Sequence, residues 1–204
     1  EPDNQLLSTS VAKWKAILRT DPDNPDANYA LGLIYLNQKL RDAALQYLQK
    51  ASLLMPDSAI VHYNLALTLF NNGNIKSNST DYENVIKAID YATRLEPDFK
   101  EAKAFKYFFT AIKLHNIDYS ESIKEYKKAI DMCSDIAIFY NMLGDAYYMI
   151  KSYTLAENNF LKAIEIDSED SLAYSNLCDL YCETGKYDDG VRYGRKAVDL
   201  PRKM

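Results

Sequence analysis

Glycine and proline are both scarce, at six each in 204 residues. So few turn-formers and helix-breakers argue against many short strands joined by tight turns, and favour long helices. Cysteine is scarcer still: Cys133, Cys178 and Cys182 complete the set. An odd number without framework spacing reads as reduced thiols, which suits the cytoplasm. No secretory signal pattern opens the sequence. Because it begins with Glu1 rather than Met, a processed or periplasmic form stays open. No run of 18 apolar residues occurs, so no direct membrane insertion is expected. Positive charge is not in excess either: 24 Lys and Arg face 29 Asp and Glu, for a net −5. Such a surface disfavours nucleic acid as a partner.

The residues of chemistry are thin as well. There are two histidines, His62 and His115, and no HExxH, GxSxG, phosphate loop or paired CxxC. Cys178 and Cys182 share one helix face at i,i+4, but a soft metal would need two further ligands that are not nearby. The expectation is therefore no enzyme, no metal and no cofactor.

What the chain does have is repetition. LGLIYLNQKLRDAALQYLQKASLL (31–54) and LGDAYYMIKSYTLAENNFLKAIEI (143–166) carry Leu-Gly, Tyr, Ala, a bulky apolar residue and Ala at matching offsets. Pro22 and Pro56 lie 34 residues apart, Pro97 lies 41 beyond Pro56, Ser134 lies 37 beyond Pro97, and Ser168 lies 34 beyond Ser134. The period is thus 34, with insertions of seven and three. The eighth place of the period holds Gly32, Ala66, Gly144 and Cys178; the seventeenth holds Tyr82, Tyr119, Tyr153 and Tyr187; the twenty-seventh holds Ala51, Ala92, Ala129, Ala163 and Ala197. Each period reads as two amphipathic helices, A then B, with small residues where they approach and proline near the end of B. A pair alone cannot bury both faces, so neighbours must stack.

A 34-residue period with Leu-Gly, Tyr, Ala, Phe, Ala and Pro at these offsets resembles the tetratricopeptide repeat (TPR) family, over residues 5 to 200. The resemblance implies an all-α fold: an α-solenoid of about five TPR helix pairs plus an N-terminal single helix, in a right-handed superhelix. As a single array over 1–204, it would comprise an N-terminal helix within 1–22 and repeats at 25–58, 59–99, 100–136, 137–170 and 171–204. Expected helices are 5–20, then 25–38/41–54, 59–72/82–95, 100–114/119–132, 136–150/153–166 and 170–184/187–199.

Three departures stand out. The polar segment Asn74–Thr80 reads as a lengthened, solvated turn, and its Asn78-Ser79-Thr80 sequon as a chance match. Helix 100–114 lacks Leu-Gly, and strict register would bury Lys103 and Lys106; a shift of one residue puts Ala104, Tyr107, Phe108 and Ala111 inside instead. Gly190 and Gly194 weaken the last helix, which reads either as frayed or as closely approached by another backbone.

In TPR arrays helix A lines a concave groove with places 2, 5, 9, 12 and 13. Carried over, the resemblance implies groove residues Tyr29, Leu33, Leu36 and Asn37 in the first pair, and Tyr63, Leu67, Phe70 and Asn71 in the second, with Ile60 beside them. Phe105 and Phe109 follow in the third, Asn141, Asp145 and Tyr148 in the fourth, and Asp179 and Glu183 in the fifth. This face is apolar at first and acidic later. Either these residues pack between neighbouring helices, or they form a partner groove. The dicarboxylate clamp of chaperone-binding TPR proteins needs Lys at place five with Asn at place nine, plus Lys and Arg in later A helices; places five and nine here hold Tyr29/Leu33, Tyr63/Leu67, Asn141/Asp145 and Ser175/Asp179, with no basic residue. The expected function is a noncatalytic protein–protein interaction scaffold. Its partner would be a protein or an extended or helical peptide with apolar anchors, basic at one end. Alternatives are a chaperone for an apolar client segment, or a structural homo-oligomer joined through the C-terminal helices.

Overall fold

The computed structural model describes residues 2–71 and 80–200, with side chains described for residues 8–70 and 82–200. Among the described residues there are eleven helices and no strand: α1 (Pro2–Thr20), α2 (Pro25–Asn37), α3 (Arg41–Leu54), α4 (Ala59–Asn71), α5 (Thr80–Leu95), α6 (Lys100–Leu114), α7 (Tyr119–Met132), α8 (Ala137–Met149), α9 (Tyr153–Ile166), α10 (Ser171–Glu183) and α11 (Tyr187–Asp199). The 34-residue ruler therefore finds every helix. Residues 74–79 of the expected lengthened turn, with Asn78 and Ser79 of its sequon, lie outside the described residues, and Thr80 opens α5. The chain divides into two compact units, Glu1–Ala102 and Lys103–Met204.

Local chemistry accounts for the helix ends. Asn24 caps α2 by accepting from the Ala27 amide at 3.0 Å, with Pro25 in the first turn. Asp118 and Asp170 do the same for α7 and α10. Four of the turns leading into an A helix share one backbone bond, from Asn24 to Asp21, Ser58 to Met55, Phe99 to Glu96 and Asp170 to Asp167, each 3.1 Å. That bond persists where Ser168 replaces proline, so the turn does not depend on the ring.

Within a pair, helix A ends at place fifteen in the left-handed region: Lys39 at φ 59°, Lys151 at φ 61° and Gly185 at φ 76°. At each, two backbone bonds reach back to the last turn, as from Leu40 to Tyr35 (2.9 Å) and Lys39 to Leu36 (3.0 Å). This is the Schellman motif, which usually takes glycine.

The A–B interface is a matter of matched sizes. A Cβ on Gly32 would meet Leu48 Cγ at 2.6 Å, and one on Gly144 would meet the Phe160 ring at 2.7 Å. Glycine at place eight thus makes room for the bulky side chain at place twenty-four. Leu48 and Phe160 are buried as a result, each contributing on the order of 2 kcal/mol. In the last pair the sizes are exchanged: Cys178 stands at place eight and Gly194 at place twenty-four, where an added Cβ would meet the Cys178 Sγ at 3.0 Å. Gly190 likewise faces the Cys182 Sγ. The close neighbour of both glycines is α10 of the same pair.

The one-residue shift in α6 agrees with the structure at Ala104, Phe108 and Ala111, all fully buried, while Lys106 is exposed. Its consequence for Phe105 and Phe109 does not. Both are core residues, 8% and 0% exposed, rather than groove residues. Phe105 sits 5.0 Å from Phe139 of α8 and within 6 Å of Phe108 and Phe109. An aromatic cluster wraps more of α6 than an A-helix pattern anticipates, because burying four phenyl rings outweighs leaving any open to water.

Candidate functional site

The expected groove residues fall on two surfaces, one in each unit. In the first unit, α2 and α4 lie side by side. Asn64 donates from Nδ2 to the Tyr29 hydroxyl at 2.9 Å and to the Ile60 carbonyl at 3.0 Å. Burial holds the Tyr29 hydroxyl above its ordinary pKa, and the Asn64 hydrogen bond partly offsets this. Around this rung, Leu33, Leu36, Tyr63, Leu67 and Phe70 are half-buried, and Asn37 and Ile60 are exposed. The Tyr63 ring packs on Phe99 at 4.9 Å. The side chain of Asn71 lies outside the described residues. Five apolar side chains therefore keep part of their surface in water along a face whose polar atoms already bond to one another.

The second unit repeats the rung with different residues. Asn176 of α10 donates to Asn141 of α8 at 2.9 Å, a 35-residue separation matching that of Asn64 and Tyr29. Asn141 is therefore buried and spent on its neighbour, and is not a groove residue open to a ligand. Past the rung the face turns acidic. Asp179 and Glu183 are exposed, and Tyr148 is half-buried with its ring 5.9 Å from Tyr153. Burial, then the charges of Glu183 and Asp179 and the neighbouring Tyr153 and Asp145, raise the Tyr148 pKa.

Asp145 has a partner that sequence reasoning missed. His115, just past α6, is buried; its Nε2 lies 2.9 Å from Asp145 Oδ2, and its Nδ1 lies 3.2 Å from the Tyr126 hydroxyl. The sequence suggests only a helix-end histidine. Both ring nitrogens are in fact used, which holds one Asp145 oxygen in place while the side chain stays 36% exposed. Only a contact map joins three residues from three helices. Further along, Tyr181 donates to Glu157 at 2.7 Å, and burial followed by this bond pushes its pKa well above the ordinary range.

Other singled-out residues have structural roles. His62 reaches the Pro56 carbonyl at 2.9 Å and stacks on Tyr91, bracing a turn. Burial, then Cys182, raises the Cys178 thiol pKa, which makes it a poor thiolate. No group of three His, Cys, Asp or Glu able to hold a metal occurs among the described residues. No helix among them is long and apolar enough to cross a membrane.

Comparisons with known proteins agree with this architecture. Two models described as tetratricopeptide repeat match, at residues 11–62 and 137–170. Tetratricopeptide repeat protein 37 of Xenopus laevis is 30% identical over 153 residues, 72% of this chain and 10% of its own length. Human Protein O-mannosyl-transferase TMTC3 is 22% identical over 195 residues, 92% of this chain. The chain spans about a fifth of that relative's length. Among solved structures, a chain of the APC/C hetero-tetramer Cut9-Hcn1 superposes with a TM-score of 0.73 at 16% identity, covering 94% of this chain and 36% of the other. The fold and its exposed helix faces define a helical-repeat protein-interaction scaffold. The chain belongs to the tetratricopeptide repeat family.

Proposed function

We propose that the protein is a noncatalytic scaffold that holds a peptide by large apolar side chains and by basic ones. The observation that carries this is the α2–α4 face. Leu33, Leu36, Leu67 and Phe70 remain partly open beside an internally satisfied Tyr29–Asn64 rung, and Ile60 is 42% exposed. The Asn64 amide protons are already spent on Tyr29 and the Ile60 carbonyl, so a partner gains there chiefly by apolar contact. The face of the second unit, with Asp179, Glu183 and the pinned Asp145, suits Lys or Arg side chains. Chaperoning an apolar client segment would use the same two faces.

The test is selection of random 15-residue peptides on the intact protein, with counter-selection on the Tyr63→Ala/Phe70→Ala double variant. Enriched peptides should carry two or more large apolar residues where they use the first unit's face, and Lys or Arg where they use the second unit's. Their affinity should fall at least about tenfold for the double variant, as expected when aromatic anchors are truncated. Acidic or purely polar winners, or equal affinity for both proteins, would reject the reading.

A second reading, self-assembly through the last pair, draws on Val191 and Val198, which are 54% and 84% exposed on α11. Sedimentation at rising concentration separates the two. A monomer throughout leaves only the scaffold.

A further inference from the structure

Away from both faces, the second unit has a half-open surface pocket of about 280 Å³ among α9, α10 and α11, lined by Leu161, Ile164, Tyr174, Arg192, Tyr193 and Lys196. Its chemistry differs from the acidic face. Leu161 and Ile164 from α9 supply apolar wall, and Tyr174 and Tyr193 stand with ring centres 6.0 Å apart. Arg192 lies over the Tyr193 ring at 5.0 Å and Lys196 over Tyr174 at 5.6 Å, so both cations stand at the rim of the pocket against its aromatic wall while staying exposed to water.

The charges around it can be paired off. Arg192 is bound to Asp189 at 2.8 Å, and on α9 Lys162 is bound to Glu165 at 2.8 Å. Lys196 makes no ion pair among the described residues. One uncompensated ammonium beside an apolar wall matches a single negative charge on an apolar stem. It matches a phosphate dianion less well, since the other cation lining the pocket, Arg192, is already paired with Asp189.

We propose that this cavity is a binding site for a monocarboxylate carried on an aromatic or aliphatic stem. The carboxylate meets Lys196, with Arg192 at its side, and the stem lies against Leu161 and Ile164. The site is independent of the peptide-holding faces, and its test does not involve them. The carboxylate belongs either to a free organic acid or to the C-terminal residue of a polypeptide.

The experiment is amide chemical-shift titration of the full chain with three probes: 3-phenylpropionate, N-acetyl-phenylalanine and N-acetyl-phenylalanine amide. Shifts are expected at 161–164, 174 and 192–196 with the two acids, saturating at millimolar concentration, and at least about fivefold weaker with the uncharged amide. Lys196→Gln should weaken the acids by a similar factor. Arg195→Gln, one residue away but lining the separate Cys178–Cys182 cavity, removes the same charge and should leave binding unchanged. Tighter binding of N-acetyl-phenylalanine assigns the site to a polypeptide C-terminus, and tighter binding of 3-phenylpropionate assigns it to a free acid. Shifts scattered over the surface, equal response to the amide, or equal loss in both variants would overturn the proposal.

Discussion

At the scale of single residues, the left-handed positions are the least comfortable places in the molecule. Lys39 and Lys151 hold φ near 60°, where a Cβ crowds the backbone by about 1–2 kcal/mol, while Gly185 fills the equivalent position of the last pair. Lys39→Gly or Lys151→Gly relieves that crowding and adds some unfolded-state freedom, which partly opposes the gain. The expected net effect is about 0.5–1 kcal/mol of added stability each, read as a rise of about 1–4 °C in the thermal midpoint. An unchanged or lower midpoint would mean that the lysines gain from their surroundings more than the Schellman geometry costs them. Buried Ser122 illustrates the opposite economy. It occupies a place usually given to alanine and satisfies its hydroxyl on the Ala111 carbonyl at 3.0 Å.

At the scale of helices, the first and fourth A–B pairs are each fitted by a glycine on helix A against one large side chain on helix B, and the last pair puts the glycine on helix B instead. Returning it to the arrangement of the others, Cys178→Gly with Gly194→Leu, should be strongly non-additive. Cys178→Gly alone opens space and lowers helix propensity, at a loss of about 1 kcal/mol or more. Gly194→Leu alone presses on the Cys178 sulfur 3.0 Å away, which limits its gain in propensity. Together they rebuild the contact seen between Gly32 and Leu48, and the pair should be more stable than the sum of the singles by about 1 kcal/mol or more. Chemical denaturation of the four proteins measures this coupling, and simple additivity would refute the size-matching account.

At the scale of the whole molecule, three tyrosines make stability depend on alkaline pH. Tyr29 in the first unit, and Tyr148 and Tyr181 in the second, are all raised, with burial the leading cause in each. A raised phenol pKa means the fold prefers the neutral form. The stabilisation is complete below the unfolded-state value near 10 and is lost as pH climbs above it. Denaturation midpoints should therefore begin to ease near pH 9, where the raised Cys178 thiol would ionise in the unfolded chain, and fall more steeply beyond about pH 10. Tyr181→Phe should lower stability at pH 8 through the lost Glu157 bond, yet flatten the alkaline fall. A slope unaltered in that variant would place the alkaline sensitivity elsewhere.

Much of this was legible from residue types alone. The 34-residue spacing located the helices, because amphipathic period, caps and breakers act within a few residues of one another. The apolar character of the α2–α4 face followed from places in the repeat that its core does not use. Tertiary structure decided the rest. It drew Phe105 and Phe109 into an aromatic core, set Asn141 against Asn176, tied Asp145 through His115 to Tyr126, and gathered Leu161, Tyr174 and Lys196 around one cavity. Each of these joins helices that the linear pattern treats separately. Periodicity tells a side chain which face of its own helix it occupies; which neighbour meets that face depends on how whole helices pack.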